Sequence, residues 1–126
     1  MKRLVFCFDG TSNIIEDVHP TNVVNIAASI ANKDKNGAQQ IVYYDEGVGS
    51  TKEDKIKGGA FGAGLHRNIL EAYKFLILNY QSDDEIFIFG FSRGAFTARS
   101  FAGLIHYAGV MQRCHAEQVF QANWFY

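Results

Sequence analysis

Residues 85–94 read Glu85-Ile86-Phe87-Ile88-Phe89-Gly90-Phe91-Ser92-Arg93-Gly94, and their reading decides the fold. A run of β-forming apolar residues stops at Gly90, and a helical pattern carrying Ala95, Ala98, Ala102 and Ile105 begins just after Ser92. A GxSxG between a strand and a helix places its serine on a sharp, strained turn, with small residues two before and two after to relieve the crowding. Ser92 is therefore the candidate nucleophile, with Gly90 and Gly94 as the glycines of the turn. The backbone N–H of Arg93, at the start of the helix, is aimed where an oxyanion would develop. The plainer alternative is a helix cap in which Ser92 only satisfies backbone donors.

Two further apolar runs resemble the first. Residues 3–8 end at Asp9-Gly10, and residues 40–44 end at Asp45-Glu46-Gly47. Apolar side chains on both faces fit strands covered by helices on each side, as in a parallel sheet. Between the strands lie helical stripes. Val23, Ile26, Ala27, Ile30 and Ala31 form one, capped at Thr21 or Asn22 and stopped at Asn36-Gly37. Leu65, Ile69, Ala72 and Leu76 form another, with Arg67 and Glu71 as an i,i+4 pair on the wet side. A weaker helix is expected over about residues 115–125. Alternating strands and helices mean an α/β fold: a three-layer α/β/α sandwich around a mainly parallel sheet with strands over 3–8, 40–44 and 84–89. Loops 9–20, 45–64 and 90–93 then share the carboxyl rim of the sheet, where such folds hold their sites.

Composition narrows the function classes. The 126 residues carry 12 Lys+Arg against 13 Asp+Glu, a net charge of −1 that argues against a nucleic-acid partner. With 48% hydrophobic and 20% charged residues, the chain reads as one ordinary globular unit. There is no run of 18 apolar residues to cross a membrane. Residues 4–8 imitate a signal peptide, but Asp9 ends the run well short of the roughly 7–15 apolar residues needed. The expected location is the cytoplasm of the producing cell. Cys7 and Cys114 show no CxxC spacing and read as free thiols, Cys7 in the core.

The rim offers other candidates. Backbone N–H groups of Gly10 and Thr11, in Phe8-Asp9-Gly10-Thr11-Ser12-Asn13, are candidates for a second oxyanion donor; the alternative is a turn in which Asp9 and Asn13 bond their own backbone. The same loop looks like that of haloacid-dehalogenase-type phosphatases, but Cys7 stands where their nucleophilic Asp would be. Glycines 58, 59, 62 and 64 lead into a helix without a GK[ST], so close packing or a mobile rim is preferred over a phosphate cradle. His19 and His66 are possible rim residues, either one a surrogate base or both merely solvated. Asp45, Glu46 and Asp54 have no recognisable metal-ligand spacing; no metal and no cofactor is expected.

Taken in order, FDGTSN, PTNV, YDEGVGS, GGAFGAGL and IFGFSRGAFTARSFAGLI resemble the α/β-hydrolase family typified by the catalytic domain of type VI secretion phospholipase effectors. The resemblance covers nearly the whole chain. It implies a serine hydrolase of lipid esters with Ser92 as nucleophile, a possible immunity protein as partner, and possible delivery by a type VI secretion system. Such hydrolases follow their serine with an acid and then a histidine. Here only Glu117, His106 and His115 follow, and His106 would lie roughly 20 Å along the helix at about 1.5 Å per residue. Residues 1–126 therefore read as the amino-terminal half of a truncated hydrolase-like domain. Alone it is expected to be inactive, and to self-associate or pair with a complementing carboxyl-terminal fragment. The competing reading is a non-catalytic remnant or binding module.

Overall fold

The computed structural model describes residues 1–10, 20–47 and 60–120. Three strands, β1 (Arg3–Phe8), β2 (Gln40–Asp45) and β3 (Glu85–Gly90), form a parallel sheet in the order β2-β1-β3. Leu4 lies beside Ile41 on one side and Ile86 on the other, and Phe6 beside Tyr43 and Ile88. All three strand boundaries lie within a residue of those expected.

Alternation along β1 divides the core in two. Leu4, Phe6 and Phe8 pack with Ile69, Tyr73, Leu76, Phe101 and Leu104 from helices α2 (Ala60–Asn79) and α3 (Arg93–Ala108). Val5 and Cys7 face the other way, against Val23, Ile26 and Ala27 of helix α1 (Asn22–Ser29). Helices thus cover both faces of the central strand, which is why its apolar run is unbroken. Aromatic rings fill the larger half: Phe6 lies 4.7 Å from Phe101 and 5.9 Å, edge-on, from Phe75, centroid to centroid.

Charges tie the amino ends of the strands. The Lys2 ammonium pairs with Asp84, its backbone N–H donates to Asp84 Oδ1 at 2.8 Å, and Arg3 reaches both Asp34 and Glu85 at 2.7 Å.

Four local expectations need correction. Helix α1 ends at Ile30, not at Asn36-Gly37; those residues instead form a turn in which Asp34 Oδ1 accepts the N–H groups of Asn36 and Ala38 and Gly37 takes φ 84°. On α3 the buried stripe is Gly94, Thr97, Ala98, Phe101 and Leu104, while Ala102 is exposed. Small alanines gave no sequence signal strong enough to choose between adjacent faces. The last element is a 3₁₀ segment, Arg113–Phe120, that buries Ala116 and Val119; the rest of the expected helix lies outside the described residues. Gly62 lies inside α2, and a Cβ there would meet nothing within 4 Å among the described residues, so packing against those residues does not explain this glycine.

Cys7 is wholly buried, and desolvation, helped by the Asp9 charge, pushes its thiol up to about 11. Cys114 is exposed. Native protein is expected to give one thiol with a colorimetric disulfide reagent and two after unfolding in guanidinium; two fast native thiols would show that α1 does not seal its face of the sheet.

Candidate active site

Ser92 closes β3 and opens α3, and it is the only non-glycine residue with positive φ among the described residues, at φ 55° and ψ −123°. L-residues avoid this region, and holding one there costs about 1–3 kcal/mol. Its side chain caps no backbone N–H of α3. The turn is built without a capping bond and exposes the serine.

The flanking glycines have steric reasons to be glycine. A Cβ on Gly94 would sit 2.2 Å from the Phe8 carbonyl oxygen and 2.5 Å from that of Asp9. A Cβ on Gly90 would lie 2.5 Å from the Gly94 carbonyl oxygen and 2.8 Å from the Ala98 Cβ. Helix α3 therefore enters the sheet in backbone contact with β1 and β3. The Gly94 and Ala95 N–H groups donate to the Phe91 and Ser92 carbonyls at 2.9 and 3.0 Å.

β1 ends beside this turn. The Phe91 N–H donates to the Phe8 carbonyl at 3.1 Å. Asp9 is fully buried: its Oδ1 accepts the Gly10 N–H at 2.7 Å, and its Oδ2 accepts the hydroxyls of Thr21 at 2.6 Å and Tyr44 at 2.8 Å. The Gly10 N–H thus points to its own neighbour's carboxylate, the turn-type alternative, rather than toward Ser92. Burial, then the bond to Asp9, raises the Tyr44 hydroxyl well above its ordinary value.

At the end of β2, Asp45 Oδ1 accepts the Gly47 N–H at 2.8 Å and the Asn68 amide at 2.9 Å. Its Oδ2 is buried with no hydrogen-bond partner among the described residues. Desolvation raises the Asp45 carboxyl above the usual carboxylate range, outweighing the two donors that favour the anion.

The remaining candidates are dispersed. His66 is half-buried in the second turn of α2. His106 and His115 are exposed, at the far end of α3 and in the 3₁₀ segment. Glu117, the only acid after Ser92, pairs with Lys74 of α2 at 3.0 Å. Thr11 and His19 lie outside the described residues, as does Asp54. No group of three or more His, Cys, Asp or Glu side chains suited to a metal occurs among the described residues. Sequence reasoning missed the Asp9–Thr21–Tyr44 cluster, because its members come from three elements far apart in the chain.

Ser92 thus occupies a strained, exposed turn between a parallel strand and a helix, beside the end of the central strand. Residues 2–126 match the family described as "T6SS, Phospholipase effector Tle1-like, catalytic domain", and the chain belongs to that family. It is also similar to an uncharacterized protein of Saccharomyces cerevisiae, 32% identical over 140 aligned positions that take in 99% of this chain and 20% of the yeast protein. The chain thus spans about a fifth of that relative's length. No solved structure matches it. Among the described residues no helix is long and apolar enough to cross a membrane.

Two stability measurements follow from this geometry. Ser92→Gly relieves the positive φ and is expected to raise the unfolding free energy from urea titration by about 1 kcal/mol, while Gly94→Ala forces overpacking and lowers it by about 2 kcal/mol or more. A destabilised Ser92→Gly would show that the turn is not strained. Asp45 takes up its proton at higher pH when folded than when unfolded, so this group adds stability as pH falls from neutral through its raised value. Asp45→Asn should therefore gain most over the parent at neutral pH, and less on acidification; urea titrations at several pH values check the sign.

Proposed function

We propose that this chain carries the nucleophile half of a serine hydrolase acting on lipid esters, with Ser92 attacking the ester carbonyl. The observation that carries the reading is the Ser92 turn: positive φ, no capping bond, and two glycines whose Cβ atoms would collide with backbone or a neighbouring helix. A helix cap needs none of these. The Arg93 N–H is the first oxyanion donor. The second is sought in the loop after β1, at Gly10 or Thr11. Phospholipid as substrate follows from the family's description. Delivery through type VI secretion, and an immunity protein as partner, belong to the same reading, with the cytoplasm of the producing cell as the origin.

A serine alcohol needs a hydrogen-bonded base, itself oriented by a third group. No Asp follows Ser92, and Glu117 is engaged with Lys74. On this reading neither the acid nor the base is drawn from the described residues after Ser92, and both are supplied by a complementing segment. Such a segment has a place to add. Among the described residues β3 is an edge strand, and Phe87 and Phe89 stay 42% and 36% exposed beside the face that α1 covers over β1 and β2. Without it, the loss of triad partners costs on the order of 10⁴–10⁶ in rate, and self-association through the open edge is expected. The second reading is a non-catalytic remnant, favoured by the outward placement of His106 and His115.

A fluorophosphonate probe and a p-nitrophenyl ester, with phospholipid vesicles as the lipid substrate, separate these readings. The 126-residue chain is expected to show little Ser92-dependent turnover, and a chain extended by the coding sequence beyond Tyr126 to show both labelling and turnover abolished by Ser92→Ala. Turnover by the short monomer within about tenfold of the extended chain would place the base at His19 or His66. A folded extended chain that never labels supports the remnant.

A further inference from the structure

Asp9 holds a buried carboxylate at the centre of the rim, and the reaction outlined above leaves it unused. Burying a carboxylate costs several kcal/mol unless its oxygens are well satisfied. Here three donors converge on it: the Gly10 N–H at 2.7 Å, the Thr21 hydroxyl at 2.6 Å and the Tyr44 hydroxyl at 2.8 Å. They belong to the loop after β1, the start of α1 and the end of β2. Thr21 Oγ1 also accepts the Val24 N–H at 3.2 Å, so its own proton is committed to Asp9 while its lone pair caps α1.

The backbone of the same residue is equally constrained. The Asp9 N–H donates to the Asp45 carbonyl at 2.8 Å. The Asp9 carbonyl oxygen would be 2.6 Å from a Cβ on Gly47 and 2.5 Å from one on Gly94. The Phe8 carbonyl accepts the Phe91 N–H. The Phe8-Asp9-Gly10 peptides therefore lie between the β2 turn and the Ser92 turn with less than a methyl group of slack on either side. A rotation of these peptides cannot be absorbed by side chains; it is passed to the backbone of residues 91–94.

We propose that Asp9 is the positioning residue of the site: its carboxylate, held by Thr21 and Tyr44, sets the peptide on which the Ser92 turn rests. The backbone claim stands on the geometry alone, and only its kinetic consequence rests on the reading of Ser92 as nucleophile. Charge-assisted bonds from two hydroxyls are stronger and more directional than neutral ones, which suits a part that must hold one orientation. An apolar residue of similar volume would cost less desolvation and fix nothing.

Two measurements test this, one of them independent of catalysis. In nitrogen–proton correlation spectra of the 126-residue chain, Asp9→Asn and Tyr44→Phe are compared with the parent. Tyr44→Phe removes one hydroxyl and keeps the ring, so it serves if Asp9→Asn does not fold. The expected result is displaced amide signals for residues 91–94, across β1 from the substitution, with Lys2 and Glu85 at the other end of the sheet unchanged. Shifts confined to Gly10, Thr21 and residues around Tyr44 overturn the proposal. In whichever form of the protein shows Ser92-dependent turnover, Tyr44→Phe should lower kcat about tenfold or more with KM held within about twofold. A loss of activity that merely follows the fraction unfolded also overturns it. If no form shows Ser92-dependent turnover, the nucleophile reading fails and the amide shifts alone decide the role of Asp9.

Discussion

The end of β1 is pressed from two sides by backbone that comes closer than a side chain would allow. Gly94 of α3 lies over the Phe8 and Asp9 carbonyls, and Gly47 lies against the Asp9 carbonyl from the β2 side. These approaches set how far α3 enters the sheet and how near the β2 turn comes, and so where the three strand ends meet. The long glycine and aromatic stretches of the chain make sense around this contact. Glycines clear the crossing, and rings such as Phe6, Phe8, Tyr43 and Phe101 fill the space below it.

That packing also explains how the chain tolerates a strained serine. Ser92 is held at φ 55° by a hydrogen bond on its N-terminal side, Phe91 N–H to Phe8, and by the first turn of α3 on its other side. Neither constraint involves its side chain. Strain of about 1–3 kcal/mol persists only where surrounding structure determines the backbone. Here the surroundings are a central strand buried on both faces and a helix locked to it by a backbone contact. Function and strain are local, but the stability that supports them is that of the whole sheet.

Charge is distributed by end. Lys2, Arg3, Asp34, Asp84 and Glu85 pair at the amino ends of the strands, where they hold register. The carboxyl rim instead carries acids withdrawn from water: Asp9, buried and supplied with three donors, and Asp45, half-buried, with one buried oxygen lacking a partner among the described residues. The contrast with Asp45 is instructive. Its carboxyl is pushed up by desolvation and its charge is poorly compensated, whereas two of the hydrogen bonds to Asp9 come from separate elements, Thr21 at the start of α1 and Tyr44 of β2.

The sequence by itself determined the strands, their parallel pairing and the place of Ser92, because those signals are short-ranged. An unbroken apolar run means a strand covered on both faces, and a glycine–serine–glycine spacing between strand and helix means a tight turn. It also gave the family, since the motifs FDGTSN and GFSRGA keep their order along the chain. Where local signals were weak, the reading slipped: to an adjacent face on the alanine-rich α3, and by about two turns at the end of α1. Only the tertiary structure decided that the Gly10 N–H turns to Asp9 rather than to the site, and that Thr21 and Tyr44 meet on one carboxylate. Those residues lie 12 and 35 positions from Asp9, so no periodicity links them. Their meeting depends on β2 pairing beside β1 and on α1 packing across the two, which is a property of the folded sheet.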